Sequence, residues 1–154
     1  MIRVENSTQI DRSVQEVFAY VDDLGRLPEW IDIIAASVPS ESPTKVGTRV
    51  TNSIRLLGRK FENTLDVVER VPNRRLILKT AAPFAVQATF TFEPVEGGTT
   101  FSTLLEAQPN ATTLFRLGEP ILSRVGHGRF RGHLRRLKRR MEAQGAPPIA
   151  ARAR

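Results

Sequence analysis

The sequence predicts an α+β domain: one curved antiparallel sheet of about seven strands wrapped around a long C-terminal helix, with two short helices after the first strand. Three observations predict it. Apolar and polar residues alternate in short runs from Arg49 to Ala107, the period of half-buried strands. The connections between those runs are short, so neighbouring strands run antiparallel. A single amphipathic stretch rich in arginine follows them, from Pro120 to Met141. One sheet facing one helix has too little helix to fill its concave side, and the remaining space suits an apolar ligand.

Ile2, Val4 and Ile10 alternate with polar residues and give a first strand with one buried face. Ser13 and Glu16 fit a capping box, in which the hydroxyl accepts from the Glu16 amide and the carboxylate reaches back. Val14, Val17, Phe18 and Val21 then follow at helical spacing, and Gly25 ends the helix. Leu27-Pro28-Glu29-Trp30 predicts a second short helix, with proline at its start, where a missing N–H costs nothing. Ser37 to Lys45, with two prolines and four serines or threonines, reads as a loop.

Arg49–Leu56 is the next strand, with Val50, Ile54 and Leu56 on one face and Arg49, Thr51, Ser53 and Arg55 on the other. Leu57-Gly58-Arg59 turns the chain. Phe61, Asn63, Leu65 and Val67 then alternate against Glu62, Thr64 and Asp66. Pro72-Asn73 leads into Leu76–Thr80; Val86, Ala88, Phe90 and Phe92 mark another strand. Glu96-Gly97-Gly98 forms a hairpin, and Thr100–Ala107 is the last strand. In the terminal helix Phe130, Leu134, Leu137 and Met141 lie within about 60° of one another on a helical wheel. Arg131, Arg135, Arg136, Lys138 and Arg139 flank or oppose that stripe. Gly145, Pro147 and Pro148 stop the helix, so residues 1–144 are expected to form a single domain and 145–154 a flexible tail.

A chain of 154 residues is long enough for one domain. Such a domain buries roughly 68–70% of its unfolded surface. No apolar run approaches the roughly 18 residues of a membrane span, and the N-terminus lacks a hydrophobic signal core, so a cytoplasmic location is expected. The absence of cysteine excludes disulfides, thiolate nucleophiles and cysteine-held metals. The net charge of +7 is unevenly placed: from Thr112 onward eleven bases face two acids. The whole positive excess therefore belongs to the helical end of the chain.

The order of elements resembles the helix-grip fold of the START/SRPBCC superfamily, in particular its polyketide cyclase/dehydrase and lipid-transport branch. The residues that carry the likeness are Val17-Phe18-Ala19-Tyr20-Val21-Asp22-Asp23, Leu27-Pro28-Glu29-Trp30 and Val46-Gly47-Thr48. Gly98-Thr99-Thr100-Phe101 and the closing stretch from Leu134 to Glu142 complete it. The likeness covers roughly residues 2–143 and implies a deep apolar cavity between the concave sheet and the long helix. Its members include carriers, cyclases, hydrolases and protein-binding modules, so the fold alone does not assign a function.

The candidate ligand-binding set is Ile54, Phe61, Leu76, Leu78, Phe90 and Phe92 from the apolar strand parity, Phe18 and Trp30 from the short helices, and Gly126 and Phe130 from the long one. Val50, Leu56, Leu65, Phe101 and Leu105 share the inward parity. Asn52, Asn63, Thr80 and Thr103 are its polar members, able to orient a ligand carbonyl or hydroxyl but not to move protons near neutral pH. That distribution argues against catalysis. If the chain is an enzyme, it is of the polyketide cyclase or dehydratase type, with Tyr20, His127 or His133 as weak catalytic candidates. Both histidines sit at the edges of the helical stripe, where solvation is the ordinary fate. Gly126 and Gly128 are candidates for making room at the pocket mouth.

No metal site and no cofactor is implied. The expected partner is a hydrophobic small molecule such as a lipid, quinone or polyketide. A further partner is an anionic membrane surface or a ribosome, reached through Arg131, Arg135, Arg136, Lys138 and Arg139. Sequence-specific nucleic-acid binding is disfavoured because the helix lacks aromatic stacking platforms. A monomer or weak dimer is expected.

Overall fold

The computed structural model describes residues 2–56, 58–80, 85–108 and 119–144, with the side chains of 56, 119–130 and 144 outside that description. β1 (Ile2–Ile10) leads into α1 (Val14–Asp22), a 3-10 turn (Leu24–Arg26) and α2 (Leu27–Trp30). β2 (Ile34–Pro39), β3 (Arg49–Leu56), β4 (Arg59–Val71), β5 (Arg75–Thr80), β6 (Ala85–Val95) and β7 (Gly98–Gln108) follow. α3 (Glu119–Gln144) closes the chain. The 145–154 tail lies outside the described residues.

The strands form one antiparallel sheet in the order β1-β7-β6-β5-β4-β3-β2. Successive strands from β2 to β7 are neighbours, as short connections require. β1 pairs with β7 across the length of the chain, with Ile2 opposite Ala107 and Ile10 opposite Thr99. α3 packs along β1 and also meets α2. This is the helix-grip arrangement. No helix among the described residues is long and apolar enough to cross a membrane.

Local chemistry sets the corners. Ser13 Oγ accepts from the Glu16 amide at 3.2 Å, while the Glu16 carboxylate accepts from the Ser13 amide at 3.3 Å, a full capping box for α1. The two-residue turn between β6 and β7 uses Gly97 at φ +87°, a conformation natural to glycine. Beside it, a Cβ on Gly98 would lie 2.1 Å from the Ile10 carbonyl oxygen, so only glycine lets β7 approach the end of β1.

Two strand features depart from the sequence reading. Ser37–Pro39, read there as loop, belongs to β2, with Val38 opposite Thr51 and Pro39 opposite Val50. A register shift between Ile34 and Ala36 destroys the period-two signal. The strand is at the sheet's edge, where a proline without an N–H is tolerated. In β4 a bulge between Val67 and Glu69 shifts the parity, so that Arg70 lies opposite Leu76 and turns toward α1.

On α3, Leu134, Leu137 and Met141 are buried and Arg131, Arg135 and Arg139 are exposed, as an amphipathic helix requires. The helix end is clasped by the β1–α1 corner. Arg12 donates to the carbonyls of Met141 (3.1 Å) and Glu142 (3.0 Å), which an ending helix leaves unpaired. Lys138 Nζ donates to the Gln9 carbonyl and to Glu142 Oε2, both at 2.7 Å. Lys138 thus ties the helix to β1.

Candidate functional site in the grip of the sheet

Strand pairing places the inward side chains in rows across the concave face. Thr8, Phe101 and Phe92 form one row; Asn6, Thr103, Phe90 and Leu76 form the next. Val4, Leu105, Ala88, Leu78 and Val67 form the third, and Ile2, Ala107, Val86 and Thr80 the fourth. The first end is solid. Phe18, Phe92, Phe101, Phe90 and Trp30 make a chain of ring contacts with centroids 5.0 to 5.8 Å apart. The other end carries small or short side chains: Ala88, Leu105, Ala107, Val86 and Thr80 are only half-buried.

The predicted ligand-lining residues therefore fall into different surroundings. Phe18, Trp30, Phe90 and Phe92 are buried against one another, and Leu76 and Leu78 are buried beside them. Asn52 and Ile54 are buried on β3, and Asn63 is half-buried on β4. Phe61 is 37% exposed, so it departs from the buried inner face that its parity predicts. It lies two residues from the β3–β4 turn, where the sheet extends past the core. The side chains of His127 and Phe130, and the surroundings of Gly126 and Gly128, lie outside what the structure describes.

The inward polar groups divide just as sharply. Ser37 Oγ donates to Asn52 Oδ1 at 2.6 Å, and Asn52 Nδ2 donates to Asn63 Oδ1 at 3.1 Å. Both polar ends of the Asn52 amide are thus bonded. Thr103 Oγ1, Trp30 Nε1 and Asn6 Nδ2 are instead buried with no hydrogen-bond partner among the described residues. Thr103 is 2% exposed and Trp30 is fully buried. Each such atom costs about 1–3 kcal/mol while it stays unpaired. Asn6 was not singled out in the sequence, because one asparagine in an otherwise ordinary strand gives no local signal.

The ionisable side chains at the margin are paired. Tyr20 donates its phenolic O–H to Glu29 Oε1 at 2.6 Å, so its hydroxyl is bound rather than wet. Burial, then the hydrogen bond and charge of Glu29, hold the phenol above the usual tyrosine range. At neutral pH it is a donor and not a base. Asp22 accepts two bonds from Arg70, at 2.9 and 2.8 Å, and that guanidinium covers the Phe18 ring at 5.2 Å, as Arg26 covers Tyr20 at 5.1 Å. His133, expected at a solvated edge, is only 2% exposed. Its Nε2 lies 2.7 Å from Oδ1 of Asp32, the half-exposed residue just past α2. Helix packing against α2 overrides the wheel position. Among the described residues no group of three or more His, Asp or Glu could hold a metal ion.

A concave sheet closed by one C-terminal helix, with an apolar interior between them, defines a START-like, helix-grip protein. The chain belongs to the polyketide cyclase / dehydrase and lipid transport family, whose model matches residues 1–142. A comparison with curated proteins finds no match. Among solved structures it is similar to the di-domain ARO/CYC StfQ from the steffimycin biosynthetic pathway, with TM-score 0.74 and 18% identity over 95% of this chain. The match takes in 52% of that protein, so the chain spans about half its length. A START superfamily protein from Mycobacterium smegmatis superposes with TM-score 0.72 at 14% identity, covering 92% of this chain and 98% of that one. A protein from Deinococcus radiodurans gives TM-score 0.70 at 16% identity, covering 94% and 99%. At these identities the likeness establishes the fold.

Proposed function

We propose that the protein binds an apolar small molecule, of lipid, quinone or polyketide type, between the concave face of its sheet and α3. The observation that carries this reading is the make-up of the four inward rows around Thr103. They hold aliphatic, aromatic, amide and hydroxyl side chains and no ionisable one, and at the end opposite the aromatic cluster Ala88, Leu105, Ala107, Val86 and Thr80 are only half-buried. Such a surface retains an apolar body and has nothing to transfer a proton with. Burying roughly 300 Å² of apolar ligand surface contributes at most about 7 kcal/mol before the costs of association. Native mass spectrometry of freshly purified protein tests the reading. A retained mass of lipid size supports it; a protein that arrives empty and takes up no supplied fatty acid, quinone or polyketide overturns it.

His133 and Asp32 favour a second reading, a cyclase or dehydratase. A buried imidazole held at 2.7 Å by a carboxylate has the geometry of an oriented proton carrier. On this reading His133→Gln abolishes turnover of a supplied polyketide while leaving its binding intact. The exposed Arg131, Arg135 and Arg139 add a cationic outer face suited to anionic membrane surfaces. Salt-sensitive vesicle binding that disappears when all three become Glu is the expected result; Lys138, held by Gln9 and Glu142, contributes little.

A further inference from the structure

Resting on the binding reading above, we infer that Asn6, Thr103 and Trp30 form a subsite for a neutral carbonyl oxygen of the bound molecule. Asn6 and Thr103 are direct cross-strand partners between β1 and β7, so their side chains stand together on the concave face. Thr103 is also the cross-strand partner of Phe90, and Phe101 precedes it by two positions on the same face. The Trp30 ring lies against both phenylalanines, at 5.8 Å from each. The indole thus sits over the same patch from which the threonine and asparagine project. The polar atoms of all three found there without partners are Asn6 Nδ2, Trp30 Nε1 and Thr103 Oγ1.

Their chemistry selects the guest. An indole N–H and an amide NH₂ only donate, and a hydroxyl can donate as well. What completes such a set is an acceptor. The rows on either side of Thr103 contain no Arg, Lys or His, and His133, buried on α3, is already bonded to Asp32, so these strands offer a carboxylate no counter-charge. A ketone, quinone, ester or amide oxygen meets both requirements. Its position also fits: the polar row stands between the ring cluster and the half-buried Ala88–Leu105 end, so a carbonyl there would leave its apolar body over the small side chains. The other inward amides are already committed, since Asn52 bonds Ser37 and Asn63.

The test uses the full chain and two tricyclic probes of nearly one shape, 9-fluorenone and fluorene, which differ in the carbonyl. Calorimetry is expected to give about tenfold tighter binding of fluorenone, the difference that one or two hydrogen bonds make. The ketone stretching band of bound fluorenone should shift to lower frequency. Thr103→Val and Trp30→Phe should each remove most of the preference and the band shift, so that fluorenone binds no more tightly than fluorene to either variant. Thr103→Val keeps the β-branched shape of a strand residue and should raise the melting temperature of the ligand-free protein, because it deletes an unpaired hydroxyl. Equal affinity for the two probes, with no band shift, overturns the subsite and leaves the binding reading standing. Failure to bind either probe, or any supplied lipid, overturns both.

Discussion

His133 Nε2 and Asp32 Oδ1 stand 2.7 Å apart, although 101 residues separate them in the chain. One comes from the buried side of α3 and the other from the exit of α2, so the pair ties the long helix to the short one. Replacing His133 by Ala should cost about 2–4 kcal/mol, as loss of a fully buried ring does. Asp32→Ala should cost less, because its carboxylate is half in water. A double-mutant cycle in urea is expected to return a coupling of about 0.5–3 kcal/mol; additive effects would mean the contact contributes nothing to folding.

Tyr20 and Glu29 set the alkaline limit. The folded chain holds the phenolic proton where the unfolded chain would release it, because burial and then Glu29 raise its pKa. The stability from this group is complete below about pH 10 and declines as pH rises further. Tyr20→Phe should flatten that decline in pH-dependent thermal melts and cost about 0.5–1.5 kcal/mol at neutral pH for the lost hydrogen bond.

Glu142 sets part of the acid limit, with the opposite sign. The hydrogen bond from Lys138 lowers its pKa; burial opposes this, and the Asp11 amide reinforces it. Its contribution is present at neutral pH and is lost as pH falls below about 4.3. Glu142→Gln should make the acid side of the stability profile shallower. An unaltered profile would show that the corner holds without the charge.

Two glycines should respond in opposite ways to alanine. At Gly98 the new methyl would meet the Ile10 carbonyl at 2.1 Å, and backbone cannot yield cheaply, so β1 should separate from β7 and stability should fall by more than about 2 kcal/mol. At Gly132 an added Cβ meets nothing within 4 Å. Gly132→Ala should stabilise the helix by about 0.5–1 kcal/mol. Chemical denaturation of the two variants side by side checks both signs.

The sequence was most readable where burial follows a simple period. Ile2, Val4 and Ile10 on β1, and Leu134, Leu137 and Met141 on α3, are buried as their spacing requires. It was least readable where a single backbone irregularity or a distant partner decides the outcome. The Ile34–Ala36 shift hid an edge strand, and the β4 bulge turned Arg70 onto Asp22. The burial of His133 depends on Asp32, and the exposure of Phe61 on how far a hairpin outruns the core.

Because β1 has β7 as its one sheet neighbour among the described strands, this segment has no hydrogen-bonded home until Thr99, the partner of Ile10, has been made. A growing chain can assemble the meander from β2 to β7 as it emerges, but the last seam is sewn late, when Arg12 and Gln9 receive the end of α3. Folding should therefore be slow for this size, governed by the entropy of closing that long loop. Nascent chains halted before Gly98 should remain protease-sensitive at β1.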